Sequence, residues 1–288
     1  MKAVRHRSYV PENRMFMARH LKQPFFDPEW HAHAEYQLFM VLQGTGTRFV
    51  GDSIQSFQPG QLVFTGPHLP HIWRCEESYF KGDDSRMAEG LVVYFGEDFP
   101  DTQWMSREEM RALQKLFVRS RRGIIFSEAE SRKVMPLLLE LPFLSGLSGL
   151  VQLLQVLDWL SASRAFSYLS SRTYEEEMAE DTGRMNLLYA HILKNYLQKI
   201  SLNDMAEMLH MTPTSFSRFF SAKNGKPLMQ FVAELRIRHA CKLLTENDIS
   251  VEQVCYESGF NTLSNFNRKF REITGKKPLQ YRKEFLGL

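Results

Sequence analysis

The stretch Ser201-Leu-Asn-Asp-Met205-Ala-Glu-Met-Leu-His210-Met-Thr-Pro-Thr-Ser215-Phe-Ser-Arg-Phe-Phe220-Ser-Ala-Lys-Asn-Gly225 decides how the C-terminal third is read. Ser201 is placed to cap a helix, with Asp204 three residues on in a capping-box-like arrangement. Leu202, Met205, Ala206 and Leu209 recur at helical core spacing, and Ala206 is small enough for another helix to approach closely. His210-Met211 makes a short turn. Thr212 caps the next helix, and Pro213 suits its first position, where the missing N–H has no helical partner. Phe216, Phe219 and Phe220 supply an apolar side; Thr214, Ser217, Arg218 and Ser221 lie on the other. A short helix, a tight turn and a second helix with a small, polar and basic outer face suit the DNA major groove.

The pattern returns about 50 residues later. Ile249, Val251 and Val254 precede Gly259-Phe260, where glycine supplies the left-handed turn conformation. A second helix starts near Thr262, buries Phe266, Phe270 and Ile273, and exposes Ser264, Asn265, Asn267, Arg268 and Lys269. Between the two units, Leu228, Phe231, Val232, Leu235, Ala240, Leu243 and Leu244 give one long amphipathic helix. A rigid helix fixes the separation of two readers, and successive major grooves on one DNA face lie about 34 Å apart.

Working outward, charge follows the same division. Residues 182–288 hold 16 Lys and Arg against 9 Asp and Glu, while residues 1–181 hold 20 against 24. A basic C-terminal part on a slightly acidic remainder implies an anionic partner for that part alone. The whole chain has 288 residues, 43% of them hydrophobic and 24% charged, which argues for about two globular domains and against global disorder. The basic N-terminus, Met1 to Val10, lacks the apolar core of a secretory signal. Leu137 to Leu160 is interrupted by Glu140, Pro142, Gln152, Gln155 and Asp158, too polar for a membrane span. Cys75, Cys241 and Cys255 form neither a disulfide framework nor a zinc pattern and fit a reducing cytoplasm.

Taken together, Leu202-x2-Met205-Ala206-x2-Leu209, Ser217-Arg218-x-Phe220, Gly225, Arg236-x3-Ala240-x2-Leu243-Leu244, Gly259-Phe260-x5-Phe266-x-Arg268-x-Phe270 and Gly275-x2-Pro278-x2-Tyr281-Arg282 resemble the AraC/XylS family of bacterial transcription regulators over about residues 184–286. Cys255 departs from the family's usual alanine, and Ser221 stands where lysine is frequent, which removes one phosphate contact. The resemblance implies base-edge contacts from Thr214, Ser217 and Arg218 in the first reader and from Ser264, Asn265 and Arg268 in the second. Lys223, Lys226, Lys269, Lys276 and Lys277 are read as phosphate contacts or solvated charges.

From residue 8 to 100 the signals are β. Short apolar runs at Gln37–Leu42, Thr47–Val50, Gln61–Phe64 and Leu91–Phe95 alternate with Gly, Pro and Asp turns, as in a sandwich or small barrel. His31 and His33 would share one face of a strand, and His71 closes the run from Gly60 through Gly66-Pro67. With Gly44 and Gly51-Asp52, this resembles a cupin barrel over about residues 25–95. In metal-binding cupins two His, a Glu and a later His form the site; here Gln37 stands at the Glu position and Glu35 two residues earlier. That neutral amide favours a small polar effector, such as a sugar, over a resident metal or other cofactor. The effector set is His31, His33, Glu35, Gln37, Phe39, His71 and Trp73, with Phe64 beside them.

From about 105 to 165 the period is helical. Leu147, Leu150, Leu154 and Leu157 form a seam suited to a homodimer, and Leu153, Val156 and Leu160 a second stripe suited to the barrel. The expected fold is α+β multidomain: a cupin-like barrel (1–100), a helical dimerisation segment (101–166), a linker (167–183) and an all-α double helix-turn-helix domain (184–288). The expected function is that of a cytoplasmic, non-enzymatic regulator that binds promoter DNA under effector control, with RNA polymerase as a further partner and no membrane. The rivals are a metal-dependent cupin enzyme fused to a DNA-binding domain, and a constitutive DNA-binding protein whose barrel is a scaffold.

Overall fold

The β signals of the first hundred residues become two sheets that face each other across a dense apolar layer. The computed structural model describes residues 9–81, 86–174, 181–246 and 248–286; the basic stretch at residues 1–8 lies outside them. The strands are β1 (Phe16–Gln23), β2 (Tyr36–Gln43), β3 (Gly46–Val50), β4 (Ser53–Phe57), β5 (Leu62–Thr65), β6 (His71–Cys75), β7 (Ala88–Phe95), β8 (Ile124–Phe126) and β9 (Phe166–Tyr168). One sheet has the order β1-β7-β2-β5-β8-β9 and the other β4-β3-β6, with all pairs antiparallel.

Strand β2 reads as a continuous apolar run because both of its faces are covered. Phe39 and Val41 point between the sheets, with Val50, Phe57, Val63, Trp73 and Val92. Leu38 and Met40 point the other way, with Phe64, Val93 and Phe95. That outer face is roofed by helices. After the one-turn α1 (Thr102–Met105) come α2 (Arg111–Ser120), α3 (Glu128–Glu140) and α4 (Gly146–Ala162), which contribute Leu116, Val134, Leu153, Val156 and Leu160 to this second core.

Three findings differ from the sequence-based expectation. The helical stretch is interrupted by β8, only three residues long, which pairs with β5 and β9 and extends the six-stranded sheet. The leucine seam is split: Leu157 is fully buried, Leu150 and Leu154 pack partly against the same core, and Leu147 alone stands 73% exposed. The first part of the stretch read as linker is built into the barrel unit. Phe166–Tyr168 is β9, and Asp52 Oδ1 accepts from Ser170 Oγ and from the Ser171 backbone N–H, both at 2.9 Å. Residues 175–180 lie outside the described set.

The chain divides into two units, 1–182 and 183–288. The second is all helix: α5 (Thr182–Asn195), α6 (Leu202–Met208), α7 (Pro213–Asn224), α8 (Leu228–Glu246), α9 (Val251–Glu257), α10 (Leu263–Thr274) and α11 (Pro278–Leu286). Ser201, Thr212, Ser250 and Thr262 each cap the helix that follows by accepting a backbone N–H. Phe216 and Phe220 of α7, and Phe266 and Phe270 of α10, are fully buried, with ring centroids 5.9 and 5.6 Å apart within each pair. Gly259 holds φ at +79°, and a Cβ there would meet the Leu197 carbonyl oxygen at 2.5 Å. Gly259→Ala is therefore strained twice over, by dihedral and by contact. It should destabilise the helical unit by about 2 kcal/mol or more, read as an earlier loss of helical circular dichroism when the full chain is titrated with urea.

Candidate functional site

Two places in the chain gather polar groups beyond what folding requires. The first lies in the barrel unit. His31, His33 and His71 each offer a nitrogen, and these atoms lie within 4.8 Å of one another. Strand parity is not the reason. Residues 31–35 precede β2 and form no regular strand; a single antiparallel bridge, His31 N–H to His71 O at 3.2 Å and His71 N–H to His31 O at 2.9 Å, brings the rings together. The carbonyls of Glu29 and Leu69 lie 2.8 and 2.7 Å from Nδ1 of His31 and His71. A carbonyl can only accept, so both Nδ1 atoms carry hydrogen, which leaves Nε2 of each ring directed away from the backbone.

Gln37 sits among them, its amide end 3.0 Å from His33 Nε2 and 3.1 Å from His71 Nε2. Both contacts are made by the carboxamide oxygen, which is placed to accept from His33 Nε2–H. Burial pushes the His33 imidazole down to about 4, with the neighbouring His31 adding to the shift, while Gln37 and Glu35 oppose it. His71 is driven well below the ordinary imidazole range by burial, then by His31 and His33. His33 is thus uncharged at neutral pH, and its 3.5 Å approach to Glu35 Oε2 is not an ion pair there. Glu35 Oε1 instead accepts the Tyr9 backbone N–H at 3.0 Å.

Of the other expected residues, Trp73 lies edge-on to His71 at 5.4 Å, and Phe39 packs one layer deeper, against Trp73 and Phe26. Phe64 is on the opposite face of its sheet, packed with Tyr36, Phe95 and Phe117, and takes no part in this site. Two residues the sequence reading missed complete the enclosure. Tyr9 stacks on Tyr94 at 4.4 Å, and both lie edge-on to His33, at 5.2 and 5.4 Å. Tyr94 carried a signal, the parity of β7. Tyr9 carried none, since its contact with residue 35 spans 26 positions. Chemically, converging imidazole nitrogens held by backbone carbonyls suit hydroxyl groups. The same donors fit a first-row divalent cation, with Gln37 offering a neutral oxygen in place of a carboxylate.

The second place is the outer surface of α7 and α10. Thr214 and Arg218 are exposed and Ser217 half-buried on α7; Ser264, Asn265 and Arg268 are all exposed on α10. Arg268 is engaged at home, donating to Asn265 Oδ1 at 2.9 Å and lying 3.5 Å from Glu272. Arg218 has no hydrogen-bond or ion-pair partner among the described residues. Of the lysines read as phosphate contacts, Lys226 pairs with Glu234 at 2.7 Å, Lys269 with Glu272 at 2.9 Å, and Lys276 with Glu284. The connection after each reader is repeated, since Lys226–Glu234 and Lys276–Glu284 each link a lysine to a glutamate eight residues on.

Comparison with known proteins matches a different family model in each unit. Residues 205–284 match the family model of a helix-turn-helix domain, and residues 22–79 that of a cupin domain. The HTH-type transcriptional regulator YobQ of Bacillus subtilis is 28% identical over 109 residues, 38% of this chain and 44% of that protein. The melibiose operon regulatory protein of Escherichia coli is 27% identical over 115 residues, 40% of this chain and 38% of that protein. The HTH-type transcriptional regulator YfiF of B. subtilis is 21% identical over 258 residues, 88% of this chain and 78% of that protein. The chain spans less than half the length of the first two.

The buried imidazoles make a prediction for stability. An unfolded His33 gains a proton near pH 6.5, the folded one only near pH 4. Between those values the unfolded state binds more protons, so stability falls as pH falls through that window, by a few kcal/mol in total. The melting temperature of the barrel unit's transition should drop between pH 7 and 5, and the drop should be much shallower in His33→Gln and His71→Gln. Equal slopes in all three proteins would contradict the assignment.

Proposed function

We propose that this chain, which joins a cupin domain to an AraC-type helix-turn-helix domain, is a transcription regulator that reads promoter DNA with both helix-turn-helix units under control of a small molecule bound in the cupin unit. The observation that carries the DNA reading is the repeat itself. Two capped helix pairs stand on one helix, each with a small, polar and basic outer face, in the part of the chain that holds the positive charge. Thr214, Ser217 and Arg218, and Ser264, Asn265 and Arg268, are the base-edge set in this reading.

In a binding assay against a selected site, Arg218→Ala should cost about 1–3 kcal/mol and relax preference at one base position. Arg268→Ala should cost less, because in the wild type Arg268 must leave Asn265 and Glu272 to reach a base. Lys277→Ala, at an exposed position, should flatten the salt slope by about one unit, and Lys276→Ala, paired with Glu284, by less. Loss of affinity spread evenly over every base in Arg218→Ala would contradict its role as a reader.

For the cupin unit the reading is a small polar effector, a sugar being one class, held by His31, His33, Glu35, Gln37 and His71 with Phe39 and Trp73 as its aromatic wall. The support is the pair of buried imidazoles, His33 and His71, that burial holds uncharged, with the half-buried His31 beside them. Replacing His33 and His71 together with Gln should abolish effector response and leave operator binding nearly intact. A second reading rests on the same geometry, because the carbonyls that fix His31 and His71 also prepare them as metal ligands. Metal analysis of protein purified without an affinity tag separates the two. About one equivalent of Fe, Mn, Ni or Zn that survives dialysis and disappears in the double variant would favour the metal, and with it the cupin-enzyme alternative.

The protein acts, in this reading, in the cytoplasm as a homodimer, with RNA polymerase as a further contact. The dimer surface is shifted from the expected seam to Phe143, Leu147 and Val151, which are exposed, while residues 141–157 contain no charged side chain that would oppose a second copy. Leu147→Glu with Val151→Glu should give monomers in sedimentation, since an unpaired charge in an apolar contact is costly. A wild-type chain that is monomeric at micromolar concentration, with and without DNA, would remove the basis for this dimer.

A further inference from the structure

We infer that the outer face of α2, in the barrel unit, is a second DNA contact, which holds the phosphate backbone beside the operator through a row of cations and reads no bases. The inference rests on the regulator reading above and adds to it a surface that lies outside the helix-turn-helix unit.

Residues 1–181 are slightly acidic as a whole, which conceals how their charge is placed. Residues 107–122 hold six Lys and Arg against two Asp and Glu, so the rest of that stretch holds 14 against 22. Helix α2 sorts its residues sharply. Leu113, Leu116 and Phe117 are buried in the core between helices and sheet, while Arg111 and Lys115 are exposed and Arg119 half-buried. These three cations recur at every fourth residue, on one face of the helix, at about 6 Å per step. Lys115 and Arg119 have no hydrogen-bond or ion-pair partner among the described residues, and Arg111 reaches Glu108 only at 3.8 Å. Arg122 extends the row just past the end of α2. The edge strand β9 holds two of the guanidiniums: Arg119 lies 5.0 Å over Phe166, and Arg122 lies 4.2 Å over Tyr168. Arg122 also donates its Nε–H to the Ser170 carbonyl at 3.0 Å. A stacked guanidinium is held in place before a partner arrives, and the N–H groups in its plane still serve an incoming oxygen. Arg48 is the contrast. Set beside Trp73 in the register of the small sheet, it is 1% exposed and donates to Gln55 Oε1 at 2.9 Å and Gln61 Oε1 at 3.1 Å.

The chemistry of the row selects the partner. Cations set in a straight line complement a polyanion of even charge, and duplex DNA carries one negative charge per about 1.7 Å of its axis. An acidic protein is held mainly by buried apolar anchors, but the one large apolar side chain that α2 exposes is Val118. A phosphate backbone needs no such anchor; it takes arginine forks and lysine charges. The C-terminal unit leaves room for this contribution, because its Lys226, Lys269 and Lys276 are already paired with glutamates. The covalent link to the readers supplies the affinity. A short connection gives an effective concentration on the order of 1 mM, so a contact whose own Kd is about 0.1 mM, the weak end of non-specific DNA binding, adds about tenfold.

The test is a salt titration of full-chain binding to the selected site in two duplexes. One is cut at the ends of the site; the other is extended by about two helical turns of unrelated sequence on each side. The extended duplex should bind about tenfold tighter at low salt, whatever the sequence of its flanks. Its salt slope should be steeper by about three to four units, one for each of Arg111, Lys115, Arg119 and Arg122. Arg111→Gln with Lys115→Gln should remove about two of those units and most of the gain, and leave affinity for the short duplex unchanged. Lys115→Glu, a single reversal at an exposed position, provides an independent arm and should also cut the gain on the long duplex alone. Both variants should melt as the wild type does, since surface substitutions of this kind barely change stability. A full gain retained in either variant would overturn the inference, because the gain then comes from the C-terminal unit. Equal binding of the two duplexes by the wild type would overturn it too, and return the row to an acidic protein partner. The two readings stay separable. A chain that binds neither duplex contradicts the regulator and the inference with it, whereas one that binds the short duplex and gains nothing on the long one contradicts the inference alone.

Discussion

Helix α8, 19 residues and about 28 Å long, carries both helix pairs of the C-terminal unit, and the organisation of that unit follows from what it packs against. Near its start, Phe231 meets Tyr189 of α5 and Phe220 of α7 at 5.4 and 5.6 Å. Along its later turns, Ile237, Ala240 and Leu244 meet Val254, Phe260, Phe266 and Phe270 of the second pair. Each pair is also tied by an arginine to the backbone just before it. Arg236 donates to the carbonyls of Tyr196 and Gln198, both at 2.6 Å, and Arg282 to those of Leu244 and Ile249, at 3.1 and 2.6 Å. A buried phenylalanine pair behind each outer helix and a guanidinium clamp before each inner one leave only the polar outer faces without a packing role.

The barrel unit solves a different problem. Its six-stranded sheet is covered on both faces, so its outer side is finished by α2, α3 and α4, and its inner side must hold whatever is not core. Three imidazoles, a carboxamide and a guanidinium are concentrated there, against aromatic rings. His33 and His71 are kept there at a cost in desolvation, as their depressed basicity records. A scaffold under no demand beyond stability would replace such groups with apolar ones of similar volume. Their gathering in one layer is what the proposed effector reading rests on.

Legibility in the sequence followed the same physics. The C-terminal unit could be read almost element by element, because caps, helical spacing and Gly259 act locally and twice over. The barrel could be read as a class. His31, His33, Gln37 and His71 lie together in the structure, and a bridge between His31 and His71 rather than strand parity joins them. Whether Phe64 lines the site or is plain core could not be read, because a strand buried on both sides shows no alternation; the structure makes it core. Strand β8, at three residues, is too short to interrupt a helical period visibly. Arg48 was passed over because Phe49 and Val50 beside it are both apolar and leave the inward parity undecided, and Tyr9 because its place depends on a distant contact.

The central claim is that one chain reads DNA at two points whose distance α8 fixes. Selection of binding sites by the full chain from random DNA, followed by spacing variants of the selected site, tests it most directly. The account predicts two short elements on one face of the duplex, about one helical turn apart, with the contribution of the second element lost when about half a turn is inserted between them. A single short element, or equal affinity at every spacing, would contradict it.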